Sequence, residues 1–180
     1  MTIIISDLHT ISSQPVASGR SYQHLSIHDR PRIEAFFLSF DFDQRRSYFG
    51  GGISDQSIRE YCSAIDWSTT DMIARTSRYC LEALATIVSL PLDNTKAELA
   101  VACPLLCDQR LIINALLAVV TEFATTKYRS LVVRRELGHP GLLVELRQND
   151  AVRFWSDEVE IDLRFPSERL PVSKRMRSRA

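Results

Sequence analysis

The chain has 180 residues, 45% of them hydrophobic and 24% charged, with 22 basic side chains balanced by 22 acidic ones. These are values of a globular domain with a real core, and they exclude wholesale disorder and any net positive field for nucleic acid. The longest apolar run, 111–120, is broken by Asn114 and too short for a bilayer, and residues 2–6 lack the basic flank of a secretion signal.

Residues 1–20, rich in Ser and Thr without a sustained period, are expected as a flexible N-terminal arm. The weak alternation over 21–28 predicts a first strand. Asp29 is then placed to cap a helix from Pro31, whose fixed φ suits a first turn. Ile33, Phe36, Phe37 and Phe40 recur at helical spacing and form a core-facing stripe. Gly50-Gly51-Gly52 is the strongest punctuation; without a preceding strand or a following Lys-Ser/Thr it is no phosphate loop. Ser54 caps a second helix whose Ile58, Tyr61, Cys62 and Ile65 share one face.

From Asp71 the texture turns to β. Residues 72–75 and 81–90 pattern as two strands of a hairpin, 91–95 as a turn and 97–103 as the next strand. Asp108 is placed to cap a long helix to about Thr126, apolar over more than one stripe and so expected against a sheet. A strand at 131–134, a short helix at 140–148 and a terminal hairpin of 152–155 with 159–165 complete the body. The tail 167–180 sets five basic side chains against Glu168; it reads as a solvated terminus, with nonspecific attraction to an acidic partner, nucleic acid or anionic lipid as the alternative.

The four cysteines, Cys62, Cys80, Cys103 and Cys107, fit neither a disulfide framework nor a metal-ligand spacing. They read as small hydrophobes of a reducing compartment, with the cytoplasm as the expected location. Trp67 and Trp155 are read as core or interface residues.

One stretch carries more than periodicity: Ala97-Glu98-Leu99-Ala100-Val101, then Asp108-Gln109-Arg110-Leu111-Ile112-Ile113, then Ala115-Leu116-Leu117. In outline it resembles the acyl-CoA-binding core of the GNAT N-acetyltransferase superfamily, where A-E-[LF]-A-V precedes Q-x-x-G-x-G and a small-Leu-Leu helix start. The blocks D-R-P-R-I-E-A-F-F-L-S-F, R-R-S-Y-F-G-G, S-D-Q-S-I-R-E-Y and I-D-W lie upstream. They are similar to a bacterial branch that includes protein-lysine acetyltransferases. The resemblance spans roughly 25–165 and implies an α/β (α+β) GNAT fold over 21–166. That fold has a mixed central sheet of about six to seven strands flanked by about four helices. It further implies acetyl-CoA or another acyl-CoA as cofactor, and an amine or a protein lysine as acceptor. No membrane partner is expected. An exposed sheet edge or the terminal hairpin leaves a homodimer as an open expectation.

The resemblance makes Glu98 the candidate general base, a carboxylate that takes the amine's proton; the plainer alternative is a strand carboxylate paired with a nearby Arg or Lys. Val101 and Cys103, at the end of the strand, fall in the cofactor-binding segment. Asp108 stands at the family's usual Gln, while Gln109, Leu111 and Ile113 stand at glycine-type positions, where a Cβ occupies the space a pyrophosphate needs. Arg110 remains as a phosphate partner. No Tyr occurs in 140–148 to protonate a departing thiolate, and His139 reads as an exposed loop residue. Two readings follow. One is a divergent GNAT-like protein with a degenerate pyrophosphate loop, its cofactor binding and activity weakened or lost and its groove filled by Leu111 and Ile113. The other is an active N-acyltransferase using Glu98.

Overall fold

The computed structural model describes residues 20–77, 80–104, 109–134, 140–147 and 152–163. Among them, seven strands form one sheet: β1 (Arg20–Leu25), β2 (Thr70–Ser77), β3 (Cys80–Leu90), β4 (Asp93–Ala102), β5 (Ser130–Arg134), β6 (Val152–Phe154) and β7 (Glu158–Asp162). The spatial order is β1-β2-β3-β4-β5-β7-β6. Every neighbouring pair is antiparallel except β4 and β5, which run parallel with α4 (Gln109–Thr125) as their crossover. The remaining helices are α1 (Arg30–Leu38), α2 (Phe42–Phe49), α3 (Asp55–Ala64) and α5 (Pro140–Leu146).

Two cores flank the sheet. On one face Ile112, Ile113, Leu116 and Val120 of α4, with Leu142 and Leu146 of α5, pack on Ile73, Ile87, Leu99, Leu131 and Val159. On the other, Ile33, Phe36 and Phe37 of α1 with Ile58 and Cys62 of α3 cover Met72, Ala74 and Leu84. Period-2 alternation along β2, β3 and β4 feeds both cores, which is why these strands read as nearly continuous apolar runs. The fold class is the expected one, a mixed sheet layered by helices.

The local departures have identifiable causes. The first strand stops at Leu25 rather than 28, because Asp29 Oδ2 accepts from the backbone N–H of Ser26 (3.1 Å) and closes a 3-10 turn over Ile27–Asp29. That carboxylate therefore does not cap α1; its other oxygen accepts from Arg32 Nη1 at 2.8 Å. Ser54 does cap α3, accepting from Ser57 N at 3.1 Å. The helix α2 is one more than expected. Asp41 and Gln44 form a reciprocal capping box, each bond 2.9 Å, and Gly50 ends the helix at φ 74°. The fourth strand begins at Asp93 and ends at Ala102, so Cys103 lies beyond it. The expected arm (but for Arg20), the basic tail, Arg78, Tyr79, Cys107, Asp108 and His139 lie outside the described residues. Among the described residues no helix is long and apolar enough to cross a membrane.

Candidate functional site

The alternation of β4 sends Ala97, Leu99 and Val101 into the core beneath α4. Lys96, Glu98 and Ala100 therefore face the α1–α3 side. On its β5 side, β4 is paired only through Lys96↔Ser130, Ala97↔Leu131 and Glu98↔Val132. Both strands continue, β4 to Ala102 and β5 to Arg134, so they part immediately after Glu98. Residues 99–102 keep their ladder to β3 on one side and, among the described residues, have no strand partner on the other. Main-chain groups turned into such a gap are available to a ligand.

Glu98 stands where the strands part, between Val88 of β3 and Val132 of β5. Its side chain is 26% exposed, and Arg134 Nε donates to its Oε2 at 3.1 Å. Arg134 lies two residues beyond the last β4–β5 pair, so this ion pair crosses the mouth of the gap. The pairing anticipated as the alternative to a catalytic role is thus present. It is also an open one, because the Arg134 side chain is 61% exposed.

Thr86 of β3 lies opposite Ala100, on the same face as Glu98 but across β4 from the gap. Its hydroxyl pairs with Tyr48 Oη at 3.0 Å. Burial pushes the Tyr48 phenol well above its ordinary value, and Tyr61 beside it is raised for the same reason. At neutral pH both are hydroxyls able to donate. Tyr48 belongs to α2, the helix that sequence reasoning missed, although Asp41-x-x-Gln44 and Gly50 carried its start and stop signals. Arg134 was likewise missed as a site residue, because only the β4–β5 register brings it beside Glu98.

At the C-terminal end of β4 the arrangement is more closed. Cys103 is buried, its Sγ 3.7 Å from the Pro104 carbonyl, and burial pushes its thiol up to about 11. It is a neutral hydrophobe at physiological pH rather than a nucleophile. Arg75 and Glu82 form a largely buried ion pair (3.0 Å) near it. Val101 is spent on the core, so only its main chain can meet a ligand.

The segment that the resemblance aligns with a pyrophosphate loop opens the long helix that the apolar pattern predicts. Gln109, Arg110, Leu111, Ile112 and Ile113 are the opening residues of α4, and Gln109 Nε2 donates to the Pro104 carbonyl at 3.0 Å. Ile113 is fully buried under the helix, whereas Leu111 is 61% exposed. Leu111 therefore does not fill a groove as expected, since the helical period rotates it away from the sheet. The first turn still presents main-chain N–H groups without intrahelical partners, at the positive end of a 17-residue helix. Among the described residues no group of three or more His, Cys, Asp or Glu is placed to hold a metal.

No family model matches this sequence, and no curated protein does. Solved structures do match in fold. An N-acetyltransferase from Staphylococcus aureus Mu50 aligns with a TM-score of 0.59 at 15% identity, over 81% of this chain and 99% of that one. The GNAT domain of S. lividans PAT aligns with a TM-score of 0.57 at 14% identity, over 78% and 87%. A spermidine N-acetyltransferase chimera from Vibrio cholerae and hSSAT gives 0.55 at 12% identity, over 82% and 97%. The architecture is the GNAT acetyltransferase fold.

Proposed function

We propose that this chain, which has the GNAT acetyltransferase fold, is an acyl-CoA-dependent N-acyltransferase with weakened affinity for its cofactor. The observation that carries the reading is the parting of β4 and β5 just past Glu98. It supplies unpaired main-chain groups along 99–102, a carboxylate at the mouth and the N-terminus of α4 at the far end. These features fit an acyl-CoA. Residues 99–102 would hold its pantetheine arm, and the first turn of α4 with Arg110 its phosphates. When bound, the cofactor supplies an activated thioester.

The chain's own residues do the rest. Glu98 receives the proton of the acceptor amine once Arg134 turns from it. Tyr48, held protonated on the same face through Thr86, is the nearby hydroxyl able to donate one. The weakness lies at the pyrophosphate. Of the side chains standing where the family has glycine, Ile113 is turned into the core, while Leu111 projects outward from the first turn of α4, where it keeps phosphate oxygens from closing on the main chain. Each charge-assisted bond so lost is worth roughly 1.5–3 kcal/mol, and losing two raises a micromolar dissociation constant by about a hundredfold or more.

The Glu98–Arg134 ion pair favours a second reading, a binding scaffold descended from such an enzyme in which the carboxylate is structural. Release of CoA thiol from acetyl-CoA in the presence of mixed amines separates the two. The enzyme reading expects slow turnover, falling about a hundredfold or more in Glu98→Gln. Undiminished turnover in that variant rejects the base assignment, and no turnover with any amine favours the scaffold.

A further inference from the structure

Resting on the transferase reading, we infer that the acceptor is a zwitterion, an amine with a carboxylate one carbon away, and that Arg134 selects it. The Glu98–Arg134 pair is made through a single nitrogen: Nε donates to Oε2, and among the described residues the Nη edge of the guanidinium has no acceptor. Glu158, the partner of Arg134 across the β5–β7 ladder, is exposed and forms no ion pair with it. Among the described residues, one edge of a largely exposed guanidinium is therefore left for a second carboxylate. That edge lies beside the carboxylate assigned to receive the amine.

Charge balance decides which acceptor fits. A bare ammonium drawn to Glu98 leaves two cations, itself and Arg134, sharing one carboxylate, a net positive arrangement that is unfavourable near a protein surface. An α-amino acid exchanges partners instead. Its ammonium meets Glu98 and its carboxylate meets the two-pronged Nη edge, so both charges of the resting pair stay compensated. Half-exposed Val88 and buried Val132 flank Glu98 and offer an apolar wall for the acceptor's side chain. The same geometry argues against the side chain of a protein lysine, whose ammonium has no carboxylate one carbon away.

The test compares a pool of free α-amino acids with the pool of their α-carboxamides, which keep the shape and the amine but lose the negative charge. Two readouts are taken on the full chain: thiol release from acetyl-CoA, and amide NMR shifts at Val88, Glu98, Val132 and Arg134 without cofactor. The acids should be bound and turned over about tenfold or more better than the amides. Arg134→Ala should abolish that preference, read as the ratio of acid to amide use whatever the absolute rate, and Arg134→Lys should keep part of it. Equal use of acids and amides by the wild-type chain, or a preference that survives Arg134→Ala, overturns the inference while the transferase reading stands. Absence of thiol release with every amine rejects the transferase reading and this inference with it.

Discussion

At the scale of single residues, carboxylates on this sheet are defined by their partners. Glu98 meets Arg134, Glu160 meets Lys96 (2.8 Å) and Ser130 (2.7 Å), and Asp71 meets His24 (3.0 Å) and Lys127 (2.9 Å). Asp71 ties β2 to β1 and to the C-terminal end of α4. Its burial alone raises its pKa, but the hydrogen bonds from His24 and Lys127 outweigh it and hold the carboxyl below its ordinary 3.8. A depressed folded-state pKa contributes stability that is present above the unfolded value and is lost as pH falls through the folded one. Urea unfolding should therefore show stability falling below about pH 4, and Asp71→Asn should flatten that fall. An unchanged acid limb in the variant would place the loss elsewhere. Glu98 was legible as a site residue because its strand motif is local; Arg134 was not, because its partnership depends on a parallel register between β4, which ends at Ala102, and β5, which begins only at Ser130.

At the scale of elements, α2 and α4 show what period and capping each reveal. The apolar residues of α4 announce a buried helix, and the expectation that Leu111 fills a groove fails because the helical period turns it outward. Ile113 sits at zero exposure, so Ile113→Gly should cost several kcal/mol, about 3–5, from the cavity and the lost propensity. Leu111→Gly, at an exposed helical position, should cost only about 1 kcal/mol by thermal unfolding and should tighten acetyl-CoA binding. No change in affinity would mean that Leu111 does not hinder the phosphates. The short α2 has little apolar periodicity and exposes Phe42, so pattern reasoning passed over it. Its ends were nevertheless written in Asp41, Gln44 and Gly50. Asp41→Ala should lower stability by about 1 kcal/mol. It should also perturb Tyr48, read as a shift of the Tyr48 ring resonances.

At the scale of the molecule, a continuous sheet is sandwiched by α4 and α5 on one face and by α1 and α3 on the other, with a single parallel junction at β4–β5. The alternating strands and the two apolar helix faces made this layering readable in advance. The parting of the strands after Glu98 was not, since nothing in the local composition of 99–102 or 133–134 distinguishes a paired strand from an unpaired one. That parting places a carboxylate at the mouth of the gap, with the start of α4 beyond the end of β4, and the functional account depends on it. Calorimetric titration of the full chain with acetyl-CoA tests that account most directly. Saturable binding with a dissociation constant on the order of a hundred micromolar or weaker is the predicted result. Low-micromolar binding would contradict the weakened pyrophosphate turn, and no saturable binding would contradict the gap as a cofactor site.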